Sequence, residues 1–190
     1  AELNQGATRA MAPFANDCEL ERKVPCPEIG QGMIGLTAPE VLEIADDLRK
    51  NLPRSEVKRI RKLARENSQR IAQMDHEHYA AARIPCPLAG EHRVCCAYAG
   101  RPLRCRPLHA MMIAGGDEPG MTEGAARTDS YEQTVEQAVE AGLRHALRST
   151  GLDANLYELN GAMAKALDTP DAAACWARGE GVFEECKRYR

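Results

Sequence analysis

Apolar residues recur at helical spacing over much of this chain, and the pattern begins abruptly at residue 37. Thr37-Ala-Pro-Glu40 is a capping-box sequence: Thr37 caps, Pro39 sits in the first turn and Glu40 reaches back. Val41, Ile44, Ala45, Leu48 and Leu52 follow as one stripe, which predicts a helix with a single buried face that Pro53 stops. The spacing predicts a second helix from Ser55 to about Tyr79. Its stripe is Val57, Ile60, Leu63, Ala64, Ile71 and Met74, and its outer face is Lys58, Arg59, Arg61, Lys62 and Arg65. That basic face reads as solvated surface. A third helix is predicted from Ser130 to about Ser149 through Val135, Ala138, Val139, Leu143, Ala146 and Leu147, with Gly151 as its stop. Asp153 is the expected cap of a fourth, which carries Leu156, Leu159, Met163 and Leu167. Asp171 opens a short last helix with Cys175 and Trp176. Arg93–Tyr98 alone has some strand character.

The segments between these periods are marked by proline and glycine. Pro13, Pro25, Pro27, Gly30, Gly32 and Gly35 leave residues 1–36 irregular, and Gly115 to Gly120 forms a turn. Pro85 and Pro107 bound a loop at 84–109. Composition agrees with helices packed through aliphatic side chains, since aromatic residues make up only 4% of the 190. A formal charge of −3 gives no nucleic-acid footprint, and no apolar run reaches the length of a membrane span. The opening AELNQGATRAMAPF has no basic stretch followed by an apolar core, so no signal peptide is expected there.

Eight cysteines change the picture. Cys86, Cys95 and Cys105 stand at nearly even intervals, with eight and then nine residues between them, in a polar loop that also holds Tyr98, Arg101 and Arg106. Such a loop buries little apolar area, whereas thiolates held near arginines suit a metal site or a reactive thiol. A fourth ligand must come from elsewhere. Cys26 is the best candidate, because Pro25 and Pro27 hold it in a rigid extended step. Four thiolates suit tetrahedral zinc or an iron–sulfur cluster, and spacing does not separate the two. Neighbouring side chains of an extended segment point apart, so one of Cys95 and Cys96 is not expected in the same site. Cys18 reads as a fifth ligand, a reactive thiol or neither, and Cys175 as core filling. His76-Glu77-His78 is no zinc-helix motif, since residues two apart face different sides of a helix. His92 and His109 flank the loop and are alternatives to a thiol. Gly30–Gly35 precedes no strand–helix phosphate pattern.

Read together, Cys86-Pro-Leu, Cys95-Cys-Ala-Tyr98 and Arg101-Pro-Leu-Arg-Cys105-Arg106 resemble the signature of the YkgJ-like cysteine-cluster proteins, a zinc- or iron-chelating family. Its pattern is a Cys-Pro-hydrophobic step, then Cys-x-x-Tyr, Arg-Pro and Cys-Arg. Cys26 followed by Thr37-Ala-Pro-Glu40 is similar to the family's upstream cluster and helix start, and Trp176, Gly179 and Phe183 to the tail of longer members. Only the 86–106 block is specific. The family's first cluster reads Cys-x-x-Cys-Cys, and here Ile29-Gly30 replaces the double cysteine. The resemblance therefore implies one site, with Cys18 or Cys96 as compensating residues. Flagellin lysine N-methylases are among the relatives, but no methyl-donor site is visible in this chain.

These readings combine into a mostly α protein: a small helical domain, residues 37–190, with a cysteine-rich metal-binding loop at 84–109 and an irregular segment 1–36 that contributes Cys26. The expected ligands are Cys26, Cys86, Cys95 and Cys105, and the cofactor is zinc or iron, the latter also as a 4Fe–4S cluster. The expected role is redox or protein-modification chemistry in the cytoplasm, with a protein rather than nucleic acid or membrane as partner. Two alternatives stand beside it: a structural zinc module acting as an interaction scaffold, and a metal-free thiol protein with Cys95 and Cys96 redox-active. Arg101 and Arg106 read as structural salt-bridge donors or as counter-charges to the thiolates, and Tyr98 as packing beneath the loop.

Overall fold

The computed structural model describes residues 34–106, 122–186 and 188. It is mostly helical, as the periodicity predicts. Strand β1 (Gly35–Thr37) leads into α1 (Ala38–Asn51) and α2 (Arg54–Ile71), then into the short α3 (His76–Ala81). The cysteine loop follows, and α4 (Thr122–Ser149) leads to β2 (Leu156–Glu158), α5 (Leu159–Asp168) and α6 (Ala172–Ala177). No helix among the described residues is long and apolar enough to cross a membrane.

The two strands form an antiparallel pair that the periodicity did not predict, with Gly35 opposite Glu158, Leu36 opposite Tyr157 and Thr37 opposite Leu156. Each strand ends on the residue that caps the next helix. Thr37 caps α1 through the expected box with Glu40, and Pro39 occupies the first turn. Glu158 caps α5, its carboxylate accepting from the backbone N–H groups of Asn160 and Gly161 at 2.9 Å each. The cap of the helix expected from Asp153 thus lies five residues later, at Glu158. Asp153 instead folds a tight turn by accepting from the Asn155 N–H (2.9 Å) and receives the Tyr157 hydroxyl, and residues 156–158 pair with β1. A non-local ladder overrides local helix signals here.

The second helix also departs from its expected span. It ends at Ile71, and Asp75 caps a separate α3 by accepting from the His78 N–H at 2.8 Å. The break lets Tyr79 turn inward and join Ile71 and Ile84 in a small apolar cluster. Arg93–Tyr98 forms no strand. Among the described residues it pairs through one isolated bridge, between Ala89 and Cys95.

The main core lies where α5 packs across α1 and α2 beneath the strand pair. Leu36, Val41, Ile44, Leu48, Ile60, Met163 and Phe183 are buried there, and the Tyr157 and Phe183 rings meet at 5.5 Å between centroids. Each such aliphatic or aromatic side chain contributes roughly 1.5–3 kcal/mol on burial. Helix α4 stands apart, joined through Leu143 and Leu147 to Leu103 of the cysteine loop. Its buried face is rotated from the expected stripe. Ala138 and Ala146 are exposed, while Glu136 and Glu140 point inward. Arg104 attracts them, donating to Glu140 at 2.7 and 3.2 Å and standing 3.9 Å from Glu136.

Candidate functional site

The cysteine loop is a folded structure pinned to three helices. From Cys86 to Cys96 the chain closes on itself. The Cys86 carbonyl accepts from the Ala89 N–H (3.1 Å), the Gly90 N–H donates to Val94 O (2.9 Å), and the Cys96 N–H donates to Leu88 O (2.8 Å). A single 3-10 turn, Glu91–Arg93, makes the tip. Gly90 allows a close crossing here, because a Cβ would lie 2.7 Å from Cys96 Sγ and that side chain would have to shift. Arg59 of α2 donates to Ala89 O at 3.2 Å, and Leu88 and Ala97 plug the loop into the main core.

A buried polar network holds the start of the loop. Asn67 lies in register with Ile60, Ala64 and Ile71 on the inner face of α2, and its amide donates to Pro85 O (2.7 Å) and to Asn160 Oδ1 (2.8 Å). The Asn160 amide in turn donates to Glu158 Oε1 at 2.6 Å. Tyr79 also bonds to Asn160. Burial, then the nearby Glu158 and Cys86, push its phenol well above the ordinary range. A polar residue on an apolar stripe was the signal for this network, and Asn67 carried it.

The second half of the loop is tied to α1 through Glu40. Its Oε2 accepts from the Thr37 N–H and hydroxyl, both at 2.8 Å, which completes the capping box. Its Oε1 accepts from the Leu103 N–H at 2.9 Å, 63 residues along the chain. Burial raises the Glu40 pKa despite these bonds. Beyond Leu103 the backbone turns, with Cys105 N–H donating to Pro102 O and Arg106 N–H to Leu103 O. Arg101 and Arg106 are buried, at 9% and 6% exposure. Burial, then the like charge of Arg101, lowers the Arg106 pKa, and Glu40, Cys105 and Glu43 oppose that shift. The Arg101 guanidinium lies 4.8 Å from the centre of the Tyr98 ring.

The expected ligands divide into two sets. Cys86, Cys95 and Cys105 are half-buried thiols that are not in disulfides, and all three pack against the main core. Cys26 lies outside the described residues, as do Cys18 and His109. Among the described residues, no three His, Cys, Asp or Glu side chains are grouped to hold a metal ion. The donor chemistry of the loop suits a thiophilic metal, but the described thiols do not by themselves form a ligand set. Cys96 points elsewhere, its Sγ 3.9 Å from Glu56 Oε1. Burial, then the Glu56 charge, raises its pKa. Cys175 packs against the main core, as expected, but is only partly buried. It is half-exposed at the edge of the core, with Arg178 Nη2 3.4 Å from its sulfur. The basic face of α2 is largely ion-paired: Arg59 with Glu56, Arg61 and Arg65 with Asp168, and Lys62 with Glu66.

No protein-family model, curated protein or solved structure matches this chain. The resemblance to the YkgJ-like family accordingly rests on the residues of the 86–106 block.

Proposed function

We propose that this chain binds zinc or iron, the latter as an ion or a 4Fe–4S cluster, through the thiolates of Cys26, Cys86, Cys95 and Cys105, and serves redox or protein-modification chemistry on a protein partner in the cytoplasm. One observation carries the reading: three of these thiols sit on a single loop, none in a disulfide, all against one core, and Cys105 lies beside the buried Arg106. A metal would add a point of closure to the loop, coupling its binding to loop order and to proton release from the thiols. Zinc would supply Lewis acidity or structure, and an iron–sulfur cluster electron transfer. The metal-free thiol reading is weakened at Cys96, whose raised pKa disfavours the nucleophilic thiolate at neutral pH.

The test is metal and sulfide analysis, with an ultraviolet–visible spectrum, of anaerobically purified wild type and Cys105→Ser. Near-stoichiometric colourless zinc, lost in the variant, supports the site and removes redox chemistry. Brown protein with iron and sulfide supports a cluster. A folded wild type without metal overturns the proposal.

A further inference from the structure

The arginines of the loop are not equally provided for. Arg104, between Arg101 and Arg106 in sequence, brings its guanidinium to Glu140 and Glu136. Arg101 makes no ion pair among the described residues. Its Nε and Nη1 are shielded from solvent and have no hydrogen-bond partner. The Tyr98 face at 4.8 Å offers it a weak electrostatic contact and no acceptor. The buried carboxylate of Glu40, which Arg106 senses, already spends its oxygens on Thr37 and Leu103. Arg106 lies close enough to Arg101 for the two charges to oppose one another. An uncompensated cation in such surroundings is costly, and an orphaned buried donor requires an explanation.

We propose that Arg101 and Arg106 form a binding subsite for a small oxoanion, a phosphate- or sulfate-like group, beside Cys105. Guanidinium donors match the oxygens of such an anion, and exclusion of water strengthens the contact. A water molecule would satisfy the Arg101 donors but would leave its charge unmatched. The inference does not depend on a metal, since it rests on the arginines and on Tyr98. The subsite would place an anionic substrate group, or an anionic side chain of a modified partner, next to the Cys105 thiol.

The experiment is calorimetric and thermal-shift titration of the full chain with inorganic phosphate and with sulfate, against chloride at matched ionic strength, before and after metal removal. Arg101→Met, Arg101→Lys and the exposed control Arg178→Met are run beside wild type. Saturable one-site binding is expected, weakened at least about tenfold in Arg101→Met and less in Arg101→Lys, and unchanged in Arg178→Met. Removal of the unpaired charge is also expected to leave Arg101→Met folded and as stable as anion-free wild type or more so, read by circular dichroism. Equal responses to phosphate, sulfate and chloride overturn the proposal. So does loss of metal from Arg101→Met without any phosphate binding by wild type, which would make Arg101 a counter-charge of the thiolates. Wild type that is metal-free as purified anaerobically and still binds phosphate would overturn the metal reading and keep this one.

Discussion

Replacement of Glu40 by glutamine separates the two roles of one carboxylate. Oε2 receives two donors from Thr37, and Oε1 receives the Leu103 N–H. A glutamine has one acceptor oxygen. Its better orientation keeps that oxygen toward Thr37 and turns the amide NH2 against the Leu103 N–H, donor facing donor. The helix cap survives and the tether to the loop is cut. Leaving a buried N–H without an acceptor costs about 1–3 kcal/mol, which corresponds to roughly a 5- to 160-fold rise in local opening. Loss of the carboxylate's desolvation cost offsets part of this in global stability, so the loop should loosen more than the protein weakens. Hydrogen exchange at Leu103 and alkylation of Cys105, two residues further on, are the readouts, with α1 amides as internal reference. Both rates should rise while the α1 amides near Val41 and Ile44 keep their protection. If Leu103 exchange and Cys105 labelling match wild type, the tether is not holding the loop. If α1 frays instead, the assignment of the two oxygens is wrong.

Three further outcomes are expected. Asn67→Ala should lower unfolding free energy by about 2–4 kcal/mol in denaturant titration, because Pro85 O and Asn160 Oδ1 each lose a buried donor; a loss under about 1 kcal/mol would show that the network is replaceable. Gly90→Ala should cost about 1–3 kcal/mol and raise Cys96 labelling, since the new Cβ falls 2.7 Å from its sulfur; unchanged stability and labelling would refute the close crossing. Burial, then its acidic neighbours Glu140 and Glu40, raises the Glu136 pKa against the pull of Arg104. A raised carboxyl favours the fold below its unfolded pKa and loses that contribution as pH climbs through the folded value. Glu136→Gln should therefore lift the melting temperature more at about pH 7.5 than at about pH 4, and a drop at pH 7.5 would mean the Arg104 pairing dominates.

Legibility in the sequence followed the range of the interactions. Helix α1 could be read whole, because its cap, its first-turn proline and its stripe are all local. The other half of Glu40 could not, since a carboxylate has two oxygens and sequence spacing exposes only the near partner. Asp75 caps a new helix inside the span expected to run unbroken to Tyr79, and the inward turn of Tyr79 explains the break. Asp153 looked like a helix cap because nothing near it reveals that residues 156–158 lie opposite 35–37. On α4 the apolar positions implied a face that Arg104, far away in sequence, rotates toward two glutamates. The cysteine loop was legible as a loop, whereas its anchors Arg59, Asn67 and Glu40 lie on helices whose local pattern shows only a packing face and a cap.

The strand pair has a consequence for how this chain is made. Residues 35–37 find their partner only at 156–158, and α5, which covers α1 and α2, follows immediately. A ribosome therefore delivers Cys86, Cys95 and Cys105 before the segment that completes their support has been synthesised. At about 5–20 residues per second, the roughly fifty residues that follow Cys105 take about 2.5–10 s to appear. During that interval the three thiols hang on an unfinished nascent chain, open to oxidants and to whatever the cell supplies to cap or load them.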